Sequence, residues 1–139
     1  PKKTTKKKQY VWGWAATNTP GKPSDAEKAK VTAAFAPWVQ QLKDTLPPLK
    51  EPQVFNQATD VFSKWRGSYF YVMCYYKCPK RPERIAEGFE TGLARLAYKS
   101  PDCYDVAYFR HTGQWFTFLF DLTLEQALDE VQKNSLFMP

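Results

Sequence analysis

The chain of 139 residues carries 20 basic against 14 acidic side chains, a formal charge of +6, with 43% hydrophobic and 24% charged residues. That length and composition set the expectation at one ordinary globular domain and exclude a wholly disordered polyampholyte. A mean hydropathy of −0.57 and the absence of a long apolar run exclude a helical membrane span from the reading.

Lys2, Lys3, Lys6, Lys7 and Lys8 supply five of the positive charges with no acid among the first eight residues. Without them the chain is close to neutral, so the excess charge belongs to a basic arm, read as disordered, rather than to the domain. Residues 9–16 follow as a short aromatic segment, with Tyr10, Trp12 and Trp14 on one side if extended. Residues 17–23 are a linker with a Pro-Gly turn.

Ser24 and Glu27 have the spacing of a capping box, and Val31, Phe35, Trp38, Val39, Leu42 and Leu46 follow a helical period behind them. Pro37 is expected to kink or split that helix, and Pro47 and Pro48 to stop it. Residues 53–64 read as a second helix that uses Val54, Ala58, Val61, Phe62 and Trp65 and ends at Gly67.

From Ser68 the period changes to two. Residues 69–76, 93–98, 104–110 and 115–120 are expected as strands rich in aromatic and β-branched side chains. Ser100-Pro101-Asp102 supplies one turn, the Thr112-Gly113 pair another, and a helical turn is expected near residues 83–87. Thr123 with Gln126 repeats the capping box, and Leu124, Ala127, Leu128 and Val131 define the closing helix. The predicted architecture is α+β: a four-stranded antiparallel meander with N-terminal helices and a C-terminal helix packed on it. Both alternating sets of the first strand, Tyr69, Tyr71, Met73 and Tyr75 against Phe70, Val72, Cys74 and Tyr76, are apolar, which predicts helices on both sides or a partner on one.

Arg81-Pro82, the Ala94-Arg95-Leu96-Ala97-Tyr98 strand, the strand opening at Trp115 and the ending at residues 134–137 are motifs that carry a resemblance. Over residues 69–137 the chain resembles a small bacterial family known as Domain of Unknown Function three-zero-two-four. That resemblance implies a fold and a bacterial source, and no mechanism.

Cys74, Cys78, Cys103 and His111 are the residues from which a zinc site would have to be built. Cys74 and Cys78 would lie about 13 Å apart on an extended strand, too far to share one ion. With no leader pattern visible, free thiols and a cytoplasmic location are expected. No phosphate-binding glycine loop, nucleophile elbow or paired-histidine motif is present, so no cofactor is expected. The leading reading is a non-enzymatic binding module for an anionic partner such as nucleic acid. It uses Lys2, Lys3, Lys6, Lys7 and Lys8 with Lys77, Lys80, Arg81, Arg84 and the ring of Tyr75. The alternative is a homodimer or protein-interaction module using a bare aromatic sheet face; an enzyme centred on His111 is the third.

Overall fold

The computed structural model describes residues 21–134 and 137–139. The lysine run at 2–8, the aromatic segment at 9–16 and the first part of the linker lie outside the described residues. Helix α1 (Asp25–Asp44) leads into five strands, β1 (Gln57–Arg66), β2 (Tyr69–Lys77), β3 (Gly88–Ser100), β4 (Cys103–Phe109) and β5 (Trp115–Leu122), and helix α2 (Leu124–Lys133) closes the chain. The strands lie in sequence order and every neighbouring pair is antiparallel.

Among the described residues the sheet has five strands rather than the expected four, and one helix precedes it rather than several. The segment read as a second helix is β1. Its apolar residues fit both periods, and cross-strand pairing decides between them. Val61, Ser63 and Trp65 face Cys74, Val72 and Phe70 on β2, and Val61 is fully buried. Gly67, at φ +61°, is therefore the tight turn of a hairpin rather than a helix cap. Nor does Pro37 divide α1, which runs unbroken from end to end. The ring sits on the exposed side, where water satisfies the carbonyl that loses its donor.

β3 begins at Gly88, five residues earlier than expected. The segment before it is a loop with a turn at Pro82 and Glu83 instead of a helical one. The turns at residues 101–102 and 110–114 form as expected. Arg110 and Gln114 close the second across 2.8 Å, and Gly113 adopts φ +87° in it. At α2 both halves of the capping box are made, whereas at α1 only the Ser24 side chain accepts, from the Glu27 N–H at 3.1 Å.

Both helices pack on the same side of the sheet. Val31, Phe35, Trp38 and Leu42 of α1 and Leu124, Ala127 and Val131 of α2 join Phe70, Val72, Cys74, Leu96, Tyr104 and Val106 in one core. Burying each large side chain there contributes roughly 1.5–3 kcal/mol. Tyr104 sits deep in it, and burial, with the carboxylate of Glu27 nearby, pushes its hydroxyl up to about 12. Among the described residues no helix covers the opposite side of the sheet.

Candidate functional site

The helix-free face is built from the alternate residues of each strand. Lys64, Tyr71, Arg95, Ala107 and Thr117 are register partners in turn, so a single row crosses all five strands with Arg95 at its centre. A second row places Arg66 beside Tyr69 and Ala97. Tyr71 and Trp115 have ring centres 5.5 Å apart, Tyr69 and Tyr71 6.3 Å, and Phe109 and Trp115 5.1 Å. The result is a near-continuous apron of half-exposed rings.

Small residues let those rings lie down. Trp115 belongs to the edge strand, yet its indole reaches across β4 to rest against Gly92 of β3. Ala107, buried on this side and apart from the helix-facing core, leaves the space for it. Beside Trp115 a cleft of about 180 Å³ opens, walled by Tyr71, Met73 and Phe109 with Lys64 and Arg66 at its margin.

Arg95 lies among these rings. Its guanidinium carbon stands 4.7 Å from the centre of the Tyr69 ring and 5.4 Å from that of Trp115. Nη2 donates to the Thr117 hydroxyl over a long 3.5 Å, while Nε is buried and has no hydrogen-bond partner. Among the described residues no carboxylate comes within ion-pair distance of it. Ring contacts of this kind hold a cation by about 0.5–2 kcal/mol without consuming any of its N–H donors. Arg66 likewise forms no ion pair among the described residues, whereas Lys64 is engaged by Glu90 at 3.0 Å.

Farther along the face the charges are balanced. Lys99 Nζ lies 2.7 Å from Asp121 and 3.6 Å from Asp105, and the Cys103 thiol donates to Asp121 at 3.6 Å. Partial burial works against the Lys99 ammonium, but the Asp121 hydrogen bond and the charges of Asp105 and Asp121 outweigh it and raise its pKa. The same hydrogen bond holds the Asp121 carboxyl below the usual carboxylate range.

The residues expected from the sequence are placed differently. Lys77, Lys80 and Arg84 do meet around one cleft, together with Glu51 and Glu87, at the end of the sheet. Arg81 lies at the same end, but its Nη2 donates to the Val54 carbonyl at 2.6 Å and so fastens two loops together. The Tyr75 hydroxyl packs against Gly88, at the loop end of the helix-free face. Lys2, Lys3, Lys6, Lys7 and Lys8 lie outside the described residues. Cys103 opens β4 and His111 follows its end, so a strand length of about 20 Å separates them and no dyad forms. All three cysteines are free, and burial pushes the Cys74 thiol up to about 11. Among the described residues no cluster of three or more His, Cys, Asp or Glu could hold a metal ion, and no helix is long and apolar enough to cross a membrane.

Of the candidate site residues, Arg95 is the one that sequence reasoning missed; the sequence marks Tyr69, Tyr71 and Trp115 as strand residues, Tyr69 and Tyr71 on an apolar face, without a role in binding the anionic partner. The alternation of β2 signalled two apolar faces, but only the strand register puts Arg95 between rings from either side.

These features define a small α+β domain with helices on one face of an antiparallel sheet and an aromatic, cationic surface on the other. The model of the family described as a domain of unknown function, DUF3024, matches residues 26–139, and the chain belongs to that family. No curated protein and no solved structure matches it.

Proposed function

We propose that this domain is a binding module for single-stranded nucleic acid, taken on the helix-free face of the sheet. The observation that carries the reading is Arg95, a guanidinium in contact with the rings of Tyr69 and Trp115 and, among the described residues, with no carboxylate in reach. Bases have flat faces that stack on Tyr71 and Trp115, and the phosphates between them are drawn to Arg95 and Arg66. Stacking of this kind contributes about 1–3 kcal/mol per base. A duplex hides its base faces and cannot use the rings, so the reading requires a preference for single strands. Lys2, Lys3, Lys6, Lys7 and Lys8 add attraction that is indifferent to sequence and steeply weakened by salt.

Fluorescence anisotropy with a labelled single-stranded oligonucleotide and its duplex, over a series of salt concentrations, tests this. The single strand is expected to bind more tightly, and Trp115→Ala and Arg95→Ala each to weaken it about tenfold or more. Replacing the five arm lysines by Gln is expected to flatten the salt dependence while leaving the preference for single strands. Equal affinity for duplex, or binding that vanishes with the arm lysines alone, overturns the reading.

The contiguous rings also favour a second reading, in which two copies pair through this face. A two-fold interface would press two faces that each carry Arg66 and Arg95 against one another, and that like charge opposes it. A sedimentation mass of twice 16.1 kDa, with no nucleic-acid affinity, would decide for the dimer.

A further inference from the structure

The loops at one end of the sheet hold a different kind of site. Residues 47–56 and 78–87 are tied together there: Gln53 Nε2 donates to the Lys77 carbonyl at 2.7 Å and Arg81 to that of Val54, while the Cys78 N–H bonds the Glu87 carbonyl at 2.8 Å. Large apolar side chains nonetheless stand in the open on this frame, with Phe55 at 81% exposure and Ile85 fully exposed at 103%. Next to Ile85 and Phe89 lies an apolar cleft of about 430 Å³, and adjoining it is the polar one of about 490 Å³ that holds Lys77 and Lys80.

Arg84 lines both clefts. Its side chain is only 23% exposed, yet its contacts are long: 3.5 Å to the Cys78 carbonyl and 3.7 Å to Glu87, whose own side chain is 85% exposed. Both contacts are at the long end of their kinds, so the half-buried guanidinium keeps N–H donors that a closer acceptor could take. It stands where an apolar cavity meets a polar one, in which Lys77, Lys80 and Arg84 outnumber the carboxylates of Glu51 and Glu87 by three to two. An anionic group there would complete its hydrogen bonding, while an apolar group attached to the anion would cover Ile85 and Phe89.

We propose that the joined clefts bind an amphipathic organic anion: a carboxylate on Arg84, drawn by Lys77 and Lys80, carried on a short alkyl chain or ring that lies against Ile85 and Phe89. The site is separate from the ring-lined sheet face, and it stands or falls independently of nucleic-acid binding.

Calorimetric titration of the full chain with octanoate and with octan-1-ol tests it. Octanoate is expected to bind saturably and about tenfold or more tighter than the alcohol, the ratio for a charge-assisted hydrogen bond. Arg84→Gln should reduce octanoate to the affinity of the alcohol, with Arg84→Lys restoring part of the difference. Ile85→Ser should weaken both ligands alike, and Trp115→Ala neither. An acetylated dipeptide ending in Leu, with free or amidated C-terminus, distinguishes the source of the carboxylate. Tighter binding than octanoate, lost on amidation, assigns a peptide terminus; weaker binding assigns a free carboxylate. Equal affinity for octanoate and octanol, an unchanged affinity in a normally melting Arg84→Gln, or no saturable binding overturns the proposal.

Discussion

The indole of Trp115 lies across Gly92 so closely that a β-carbon on Gly92 would overlap its six-membered ring, with the Phe109 Cβ another 3.1 Å away. The backbone of Gly92 has no need of a positive φ; what the position needs is the absence of a side chain. Gly92→Ala is therefore expected to lift the ring from the sheet, at a cost of about 1–3 kcal/mol in stability for the overpacking. The indole N–H resonance of Trp115, assigned by its loss in Trp115→Phe, should shift, and single-strand affinity should fall as far as it does in Trp115→Ala. Unchanged affinity with a displaced ring would mean the ring's position plays no part in binding.

Arg95 separates function from stability. A buried donor without a partner costs about 1–3 kcal/mol, and an apolar side chain of similar length removes that cost. Arg95→Met is accordingly expected to melt at the same temperature as the natural protein or a few degrees higher, while oligonucleotide affinity drops. Arg95→Lys keeps the charge but loses the planar guanidinium that reaches both Tyr69 and Trp115, so its affinity should fall between the two. A large loss of stability in Arg95→Met would show instead that the guanidinium is a structural strut.

What was legible in the sequence was what local chemistry decides. Ser24, Thr123 with Gln126, and Gly113 mark their helix starts and turn because each acts on its own neighbours within a few residues. β1 was misread because Val61, Phe62 and Trp65 fit a helical face as well as a strand. Only pairing with β2, across Gly67, chooses. The aromatic face was visible in the alternation from Tyr69 onward. Arg95 was not, since its partners come from β2 and β5 and bulges between residues 72 and 73 and on β5 shift the pairing. The basic residues 77–84 were visible as a cluster, but nothing local told that Arg81 would be spent on the Val54 carbonyl.

The Lys99–Asp121 pair gives stability a defined acid dependence. The Asp121 carboxyl is held below its ordinary value by the hydrogen bond from Lys99 and by its charge. Its contribution is thus fully present above the unfolded-state pKa and is lost as pH falls through the depressed folded-state value. Lys99 is shifted upward, so its share persists until pH rises through a value above the ordinary amine range. Asp121 sits at φ +57°, a conformation Asn also tolerates, which makes Asp121→Asn a clean removal of charge. Urea midpoints of the two proteins should differ at about pH 7 and converge toward about pH 3. A constant difference across that range would show that the carboxylate charge does not stabilise the fold.

Cys74 should be chemically silent. Burial in the core raises its thiol to about 11, with a hydrogen bond to Tyr76 only partly offsetting, so almost no thiolate exists at mildly alkaline pH. Thiol titration of the folded chain is expected to modify Cys78 and Cys103 readily and Cys74 only on unfolding. Rapid modification of all three without loss of structure would contradict the burial of β2 beneath the helices.

Asp102 performs two tasks at one turn. It occupies φ +57° between β3 and β4, and its carboxylate accepts the Leu124 N–H at 2.9 Å, satisfying a free donor in the first turn of α2. The tasks come apart by substitution. Asn keeps an acceptor and tolerates the left-handed backbone, losing only the charge at the helix start, about 0.3–1 kcal/mol. Gly relieves the backbone but removes the cap, about 0.5–2 kcal/mol. Ala loses the cap and adds a backbone penalty of about 1–2 kcal/mol. Urea unfolding should therefore rank the variants Asn, Gly, Ala in order of increasing loss. If Gly proves as damaging as Ala, the backbone conformation contributes nothing and the carboxylate alone joins this turn to the helix.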